Sequence, residues 1–364
     1  MHRAFDTCSA LLRESIDKKI IPSAAYAIGE GRQTLCTEVL GDRALFPEPQ
    51  PADTDTLYDL ASLSKLVSTT MVALRLVEEG RLLLSDPLAT FFSSEELAGC
   101  PEGREGVTVF HLMTHTSGIT PHLPLWTRLD TPEPSAVAHT ILSSAAVCAP
   151  GEQVYYSCMG YILLQILIER LTGRRLDRLA EELVFRPLGM TRTGYCPTSE
   201  NVVTTEFSSL HQEYIKGHVH DENAHFLGGV SGNAGVFSPL GDMTRFAVMC
   251  ATRGELPEAP GKRFLSEAAF SSAVRDYTPG LAESRGLGFQ LKPPLPGLSS
   301  AGDLMSVGSY GHTGFTGTSL WVDAESGRWA VLLTNAVHLG RDKTAFFRVR
   351  RLFHNAVMGE TLRT

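Results

Sequence analysis

The chain has 364 residues, 43% of them hydrophobic and 20% charged. A chain of that length and apolarity buries a large core as one big or two intimately joined domains, which excludes a disordered or fibrous protein. Its formal net charge of −8 comes without any basic run, so neither nucleic acid nor an anionic membrane is an expected partner, and a small molecule is.

Seven cysteines (Cys8, Cys36, Cys100, Cys148, Cys158, Cys196 and Cys250) are scattered, odd in number and free of any Cys-x-x-Cys pair. That pattern predicts free thiols in a reducing compartment. Met1 to Ile16 reads as an amphipathic helix through Phe5, Cys8, Leu11, Leu12 and Ile16 and lacks the apolar core of a secretion signal. No run approaches the ~20 apolar residues that a spanning helix needs. A cytoplasmic address is expected, although a trimmed mature chain would read the same way.

Ala24 to Gly29 and Thr34 to Leu40, split by Glu30-Gly31-Arg32, predict a first hairpin. Tyr58-Asp59-Leu60-Ala61-Ser62-Leu63-Ser64-Lys65 follows and opens a helix whose apolar face runs through Leu66, Val67, Thr70, Met71, Leu74 and Val77 to a stop at Gly80. Positions three apart share a helix face, so the Lys65 amine reaches the Ser62 hydroxyl. Positive partial charge at the helix start, with burial, is expected to lower the Lys65 pKa and free it to accept a proton. A serine beside such an amine is a candidate nucleophile.

Val109 to Gly118 (VFHLMTHTSG) places His111 and His115 four apart, expected as a buried hydrogen-bonded pair on one helix face. Pro150 to Tyr161 (PGEQVYYSCMGY) reads as a turn that delivers Tyr156 and Ser157 ahead of a buried helix from Tyr161 to Thr172, stopped by Gly173. A phenol beside a lysine ammonium is stabilised as phenolate and can take a serine proton. His218, His220, Asp221 and His225 resemble a metal cluster, but no helical His-Glu-x-x-His pattern accompanies them and no metal is expected. Glu255 to Lys262 and Lys292 to Gly297 read as loops.

Tyr310 to Gly317 (YGHTGFTG) is a glycine-rich approach to a strand, where the Phe315 amide is free to face a developing oxyanion. Thr318 to Asp323 and Trp329 to Thr334 predict a second hairpin, and a helix from about Asp342 to Met358 closes the chain. Strands at both ends with helices between imply one antiparallel sheet made by the two termini.

With these stretches in hand, the chain resembles the serine β-lactamase, penicillin-binding-protein and esterase superfamily, on the branch related to class C β-lactamases and D-alanyl-D-alanine carboxypeptidases. Val219 to Ala224, Gly228 to Ser238 and Gly286 to Phe289 join the resemblance, in the same order. It implies an α+β, β-lactamase/transpeptidase-like fold: residues 1–60 and 285–364 form a sheet domain flanked by helices, residues 61–284 a mostly helical inserted domain, and the active site lies in the cleft between them.

The resemblance assigns Ser62 as the nucleophile, Lys65 and Tyr156 as its proton-transfer partners, and the backbone N–H groups of Ser62 and Phe315 as the oxyanion hole. His312, Thr313 and Gly314 match the third motif, which is Lys-Thr-Gly in many β-lactamases. Cys158 stands at the substrate-binding position where relatives usually carry Asn or Asp, and a thiol is a weak hydrogen-bonding group. With His312 in place of lysine as well, the implied activity is ester or amide cleavage through a Ser62 acyl-enzyme, of the esterase or D-amino-acid peptidase or amidase type. The alternatives are a β-lactamase or penicillin-binding D-alanyl-D-alanine carboxypeptidase and, from another class, an inactive relative that binds cell-wall peptides. No cofactor is implied.

Overall fold

The computed structural model describes residues 5–208, 212–294 and 299–360. Residues 1–4 of the expected first helix and 295–297 of the expected Lys292–Gly297 loop lie outside them. The chain opens with helix α1 (Asp6–Asp17), followed by strands β1 (Ser23–Glu30), β2 (Gln33–Ala44) and β3 (Gln50–Pro51). Far along the chain come β4 (Gln290–Leu291), β5 (Tyr310–Thr313), β6 (Ser319–Val322) and β7 (Arg328–Leu333), and the helix Thr344–Gly359. These seven strands form one antiparallel sheet in the order β4-β5-β6-β7-β1-β2-β3, so strands from the two ends of the chain meet at the β1–β7 pair.

The register of that pair sorts side chains to two cores. Ala25 faces Leu333 and Ala27 faces Val331 on one side, while Tyr26 faces Leu332 and Ile28 faces Ala330 on the other. Successive strand residues point to opposite faces. The first set joins the large core formed with the helices of the middle segment. The second set is closed by Leu12 of α1 and by Phe346 and Phe353 of the C-terminal helix. Covered on both sides, β1 is buried along seven of its eight residues. The helix Leu240–Ala251, from the middle segment, packs directly on β1, β6 and β7.

Two expectations about the middle of the chain need correction. Glu255 to Lys262 is a small hairpin, Glu255–Leu256 against Ala259–Arg263, with a positive-φ glycine, Gly261, accommodating its irregular register. The helix after Ser62 also starts differently: Lys65–Thr70 is π-helical and continues as α-helix from Met71 to Glu78, ending at Gly80 with φ +66°. A π-turn sets i to i+5 bonds and is frequent at functional sites. All six of its residues are buried, Lys65 among them.

Candidate active site

Tyr58–Asp59, a two-residue strand paired with Val236–Ser238, leads into the turn that carries Ser62. Asp59 is buried and shapes this turn: its carboxylate accepts the Ala61 N–H and the His220 N–H, each at 2.8 Å. Burial raises the Asp59 pKa, and those two backbone donors oppose the rise. Ala61 lies in the left-handed region at φ +47°, an unfavourable conformation for alanine that presents the next residue, Ser62, to the cleft.

Lys65 is fully buried and all three of its N–H bonds are directed. It donates to Ser62 Oγ at 3.0 Å, to the Asn233 carbonyl at 2.9 Å and to Cys158 Sγ at 3.4 Å. Burial alone would depress its pKa; the Cys158 and Tyr156 side chains outweigh burial and hold it above its ordinary value. The expected lowering is therefore wrong in sign, because the Cys158 and Tyr156 side chains beside the ammonium outweigh the burial and helix-start charge that were expected to destabilise it.

Tyr156 packs beside this group, with its ring centre 4.9 Å from Lys65 Nζ. Its hydroxyl is buried and makes no hydrogen bond of ordinary geometry among the described residues. Burial raises its pKa, and Lys65 pulls it back. Ser157 caps the next helix, Cys158–Thr172, by accepting the Gly160 N–H at 3.0 Å, which places Cys158 at the first helical position.

The two histidines of the VFHLMTHTSG stretch do not pair. The helix there ends at Met113, and His115 takes φ +58°. His111 caps its own helix with Thr108, whereas His115 turns inward: its Nδ1 accepts the Ser157 N–H at 3.0 Å and its ring lies 4.5 Å from that of Tyr156. Burial, with Arg285 and Lys65 nearby, keeps His115 neutral well below its ordinary pKa.

The third station forms the opposite wall. His312 is paired with Leu320 and Thr313 with Ser319 in the β5–β6 ladder. Thr316 donates to the Asp59 carbonyl at 2.7 Å and Thr318 to the Leu60 carbonyl at 3.0 Å, which ties this wall to the Ser62 turn. The approach is so close that a Cβ on Gly314 would lie 2.3 Å from the Leu60 oxygen. Neither the Ser62 nor the Phe315 N–H donates to another backbone carbonyl among the described residues. His312 Nδ1 meets the Thr313 carbonyl at 2.8 Å, so Nδ1 carries the proton and Nε2 is left buried without a partner. Burial, Arg285 and Lys65 push its pKa down to about 3.

Ser62, Tyr156, His312, Thr313, Gly314 and Phe315 line one open cleft of about 280 Å³. Cys158 is not among its lining residues; it faces Lys65. Three cations that the sequence reading did not name share the lining: Arg285, Lys343 and Arg350. Lys343 sits over the Phe315 ring and donates to the Phe315 carbonyl, and burial with Arg350 and Arg341 nearby lowers its pKa to about 7. Burial lowers Arg350 to about 10, and no carboxylate pairs with it among the described residues.

Asn233 and Arg285 fall within or beside stretches that the sequence marks, GGVSGNAGVFS and GLGF, and that was the only available signal. Lys343 and Arg350 carried none. His220 is buried near Glu206 and stacks on Phe315, Asp221 caps a short helix, and the His218 and His225 rings lie 5.2 Å apart. Among the described residues no group of three His, Cys, Asp or Glu side chains is disposed to hold a metal ion. None of the described helices is long and apolar enough to cross a membrane.

A two-core α+β architecture whose sheet wall faces a Ser-Lys-Tyr cluster defines the class of protein: serine hydrolases with the β-lactamase/transpeptidase-like fold. Residues 9–353 match the family model described as Beta-lactamase. A protein of Escherichia coli O157:H7 named "Putative D-alanyl-D-alanine carboxypeptidase" is 31% identical over 323 residues, which cover 81% of this chain and 72% of that one. Among solved structures, the octameric penicillin-binding protein homologue from Pyrococcus abyssi superposes with a TM-score of 0.72 at 21% identity, covering 95% of this chain and 76% of that one. EstCE1, a hydrolase with promiscuous acyltransferase activity, superposes at 0.73 and 18% identity, covering 97% of each chain. The chain belongs to the β-lactamase family.

Proposed function

We propose that this β-lactamase-family hydrolase cleaves a small ester or amide through an acyl-enzyme on Ser62, as an esterase or D-amino-acid peptidase or amidase. The observation that carries this reading is the Lys65–Ser62 contact at 3.0 Å inside a buried, fully directed hydrogen-bond set. The reactive form is a Tyr156 phenolate beside the Lys65 ammonium, reached when the resting ammonium–phenol pair releases one proton to solvent. Tyr156 takes the Ser62 proton as Oγ bonds to the substrate carbonyl, and the N–H groups of Ser62 and Phe315 receive the oxyanion. As that intermediate collapses, Tyr156 returns the proton to the leaving alkoxide or amine. A water molecule then repeats the sequence to free the acid and Ser62. Every group involved belongs to the chain, in the cleft between a sheet unit of residues 1–60 and 285–364 and a helical unit of residues 61–284.

Cys158 favours esters. Its thiol is engaged by Lys65 and offers a substrate amide little, whereas a simple ester needs no such contact. One observation supports the peptidase form: Arg350, joined by Lys343 when it is protonated below about pH 7, returns to the cleft positive charge that His312 lacks and suits a substrate carboxylate. The 31% identical relative bears a carboxypeptidase name. The test is a panel of short-chain p-nitrophenyl esters, D-amino-acid dipeptides and a chromogenic cephalosporin on the pure protein. Ester or dipeptide turnover above cephalosporin turnover is expected; the reverse order replaces the esterase–peptidase reading with the β-lactamase one, and no turnover with covalent labelling absent replaces it with a binding protein.

A further inference from the structure

The proposed proton path leaves a physical problem: Tyr156 must act as an anion, yet its hydroxyl is buried, and Lys65 and Ser62, the hydrogen-bonding groups that act on it, do not meet it with ordinary bond geometry. Burying a phenolate is unfavourable unless positive charge lies close. Lys65 supplies one charge. The third motif supplies none, since His312 is held neutral with its proton on Nδ1 and directed at a carbonyl. His115, on the other side of the ring, is neutral too.

A second permanent cation is present. The guanidinium carbon of Arg285 stands 5.2 Å from the centre of the Tyr156 ring, close to the 4.9 Å of Lys65 Nζ. Arg285 is 4% exposed and its Nε is buried without a partner. Its outer nitrogen, Nη2, pairs with Glu283, a carboxylate on the wet side of the cleft with 41% of its side chain exposed. The backbone holds the residue firmly: its N–H donates to Thr278 Oγ1 at 2.8 Å and its carbonyl accepts the Tyr277 N–H at 2.9 Å. At both imidazoles, His115 and His312, burial comes first and Arg285 is the largest of the nearby charges that disfavour protonation.

We propose that Arg285 is a positioning residue for the proton transfer: set against the Tyr156 ring, its guanidinium supplies the second positive charge that keeps this phenol competent as a base, a charge that His312 cannot supply. The inference rests on the Ser62–Tyr156 reading above. The charged and titratable groups around Tyr156 are Lys65, Arg285, Cys158, His115, His312 and Tyr161, with Asp221 acting at longer range through Lys65 and Glu283 through Arg285. Of the two cations against the ring, Lys65 also hydrogen-bonds Ser62, whereas Arg285 is paired with Glu283.

The test reads Ser62 activation without needing the natural substrate. The second-order rate of labelling by diisopropyl fluorophosphate, a small neutral probe, is measured from pH 5 to 10 in the parent, R285Q, R285K and E283Q, with melting temperatures as a check on folding. A unit charge at this range, partly offset by Glu283, is expected to move the acidic limb by about one pH unit. R285Q should therefore show its limb about one unit higher, with about tenfold slower labelling below it and recovery above it. R285K should restore at least half of that shift. E283Q should lower the limb by a few tenths of a unit, and this arm decides the matter if R285Q does not fold. A uniform fall at every pH with an unmoved limb, an R285K profile identical to that of R285Q, or an unmoved limb in both R285Q and E283Q overturns the inference. A parent that takes no label overturns the underlying reading as well, and a Y156F profile identical to that of the parent removes Tyr156 as base while leaving Ser62 in place.

Discussion

Lys65 Nζ stands 3.4 Å from Cys158 Sγ, so the residue at the usual amide-holding position turns its side chain toward the lysine and away from the cleft. An asparagine there would offer a carbonyl acceptor and two N–H donors in place of a weakly bonding thiol. Cys158→Asn should raise kcat/KM on D-amino-acid peptides or β-lactams by ~10-fold or more relative to short-chain esters, within the ~1–3 kcal/mol of added hydrogen bonding. Parallel kinetics on both substrate types check this; an equal change on the two denies Cys158 a part in selectivity.

In the proposed mechanism Lys65 and Tyr156 share one proton path. Lys65→Ala and Tyr156→Phe should each slow acylation by on the order of 10²-fold or more, the usual worth of general-base catalysis. The double variant should be little worse than the slower single one, since groups acting as a unit are not additive. Stopped-flow acylation of the three variants decides it, and fully multiplicative losses would separate the two roles.

Gly314 is fixed by contact with the Ser62 turn. A Cβ there would meet Thr318 Oγ1 at 2.1 Å and the Leu60 oxygen at 2.3 Å, and those two atoms are hydrogen-bonded to each other. Gly314→Ala should cost about 1–3 kcal/mol of stability by overpacking. It should also lower kcat by on the order of 10²-fold, because the Phe315 amide moves relative to Ser62. Urea unfolding and steady-state kinetics measure both; wild-type values for either would show that the wall yields.

Buried histidines make the fold sensitive to acid. Burial, with Arg350 nearby, lowers the His354 pKa from 6.5 to about 3. The folded chain thus binds fewer protons than the unfolded one within that window, so this contribution is complete above pH 6.5 and is lost as pH falls toward 3. His354→Gln should be less stable than the parent at pH 7.5, and the gap in melting temperature should close steadily between pH 6.5 and 4.5. A gap independent of pH would mean that His354 titrates normally.

The Ser62–Lys65 station was legible because its two residues are three apart and local geometry brings them together. The two hairpins of the large sheet were legible as apolar stretches around polar turns and the helix end through Gly80, whereas the Glu255–Arg263 hairpin was read as a loop. Two groups that complete the Lys65 shell were not, since the Asn233 carbonyl and Cys158 arrive from 168 and 93 residues away. Periodicity also misplaced His115, whose left-handed backbone breaks the helix so that its ring can receive the Ser157 N–H. The sign of the Lys65 shift was misread for the same reason: helix-end charge is a local effect, and the Cys158 and Tyr156 side chains that oppose it are brought in by tertiary packing. Arg285, Lys343 and Arg350 are ordinary cations in sequence and acquire meaning only where the chain buries them in one cleft.

The central claim is that Ser62 is the nucleophile, and mapping the adduct tests it most directly. The protein is treated with diisopropyl fluorophosphate, digested and analysed by mass spectrometry, alongside Ser62→Ala. One diisopropylphosphorylated peptide carrying Ser62 is expected, with no adduct and no turnover in a Ser62→Ala protein that keeps the parent melting temperature. Modification at a different serine, or full activity in Ser62→Ala, would contradict the account.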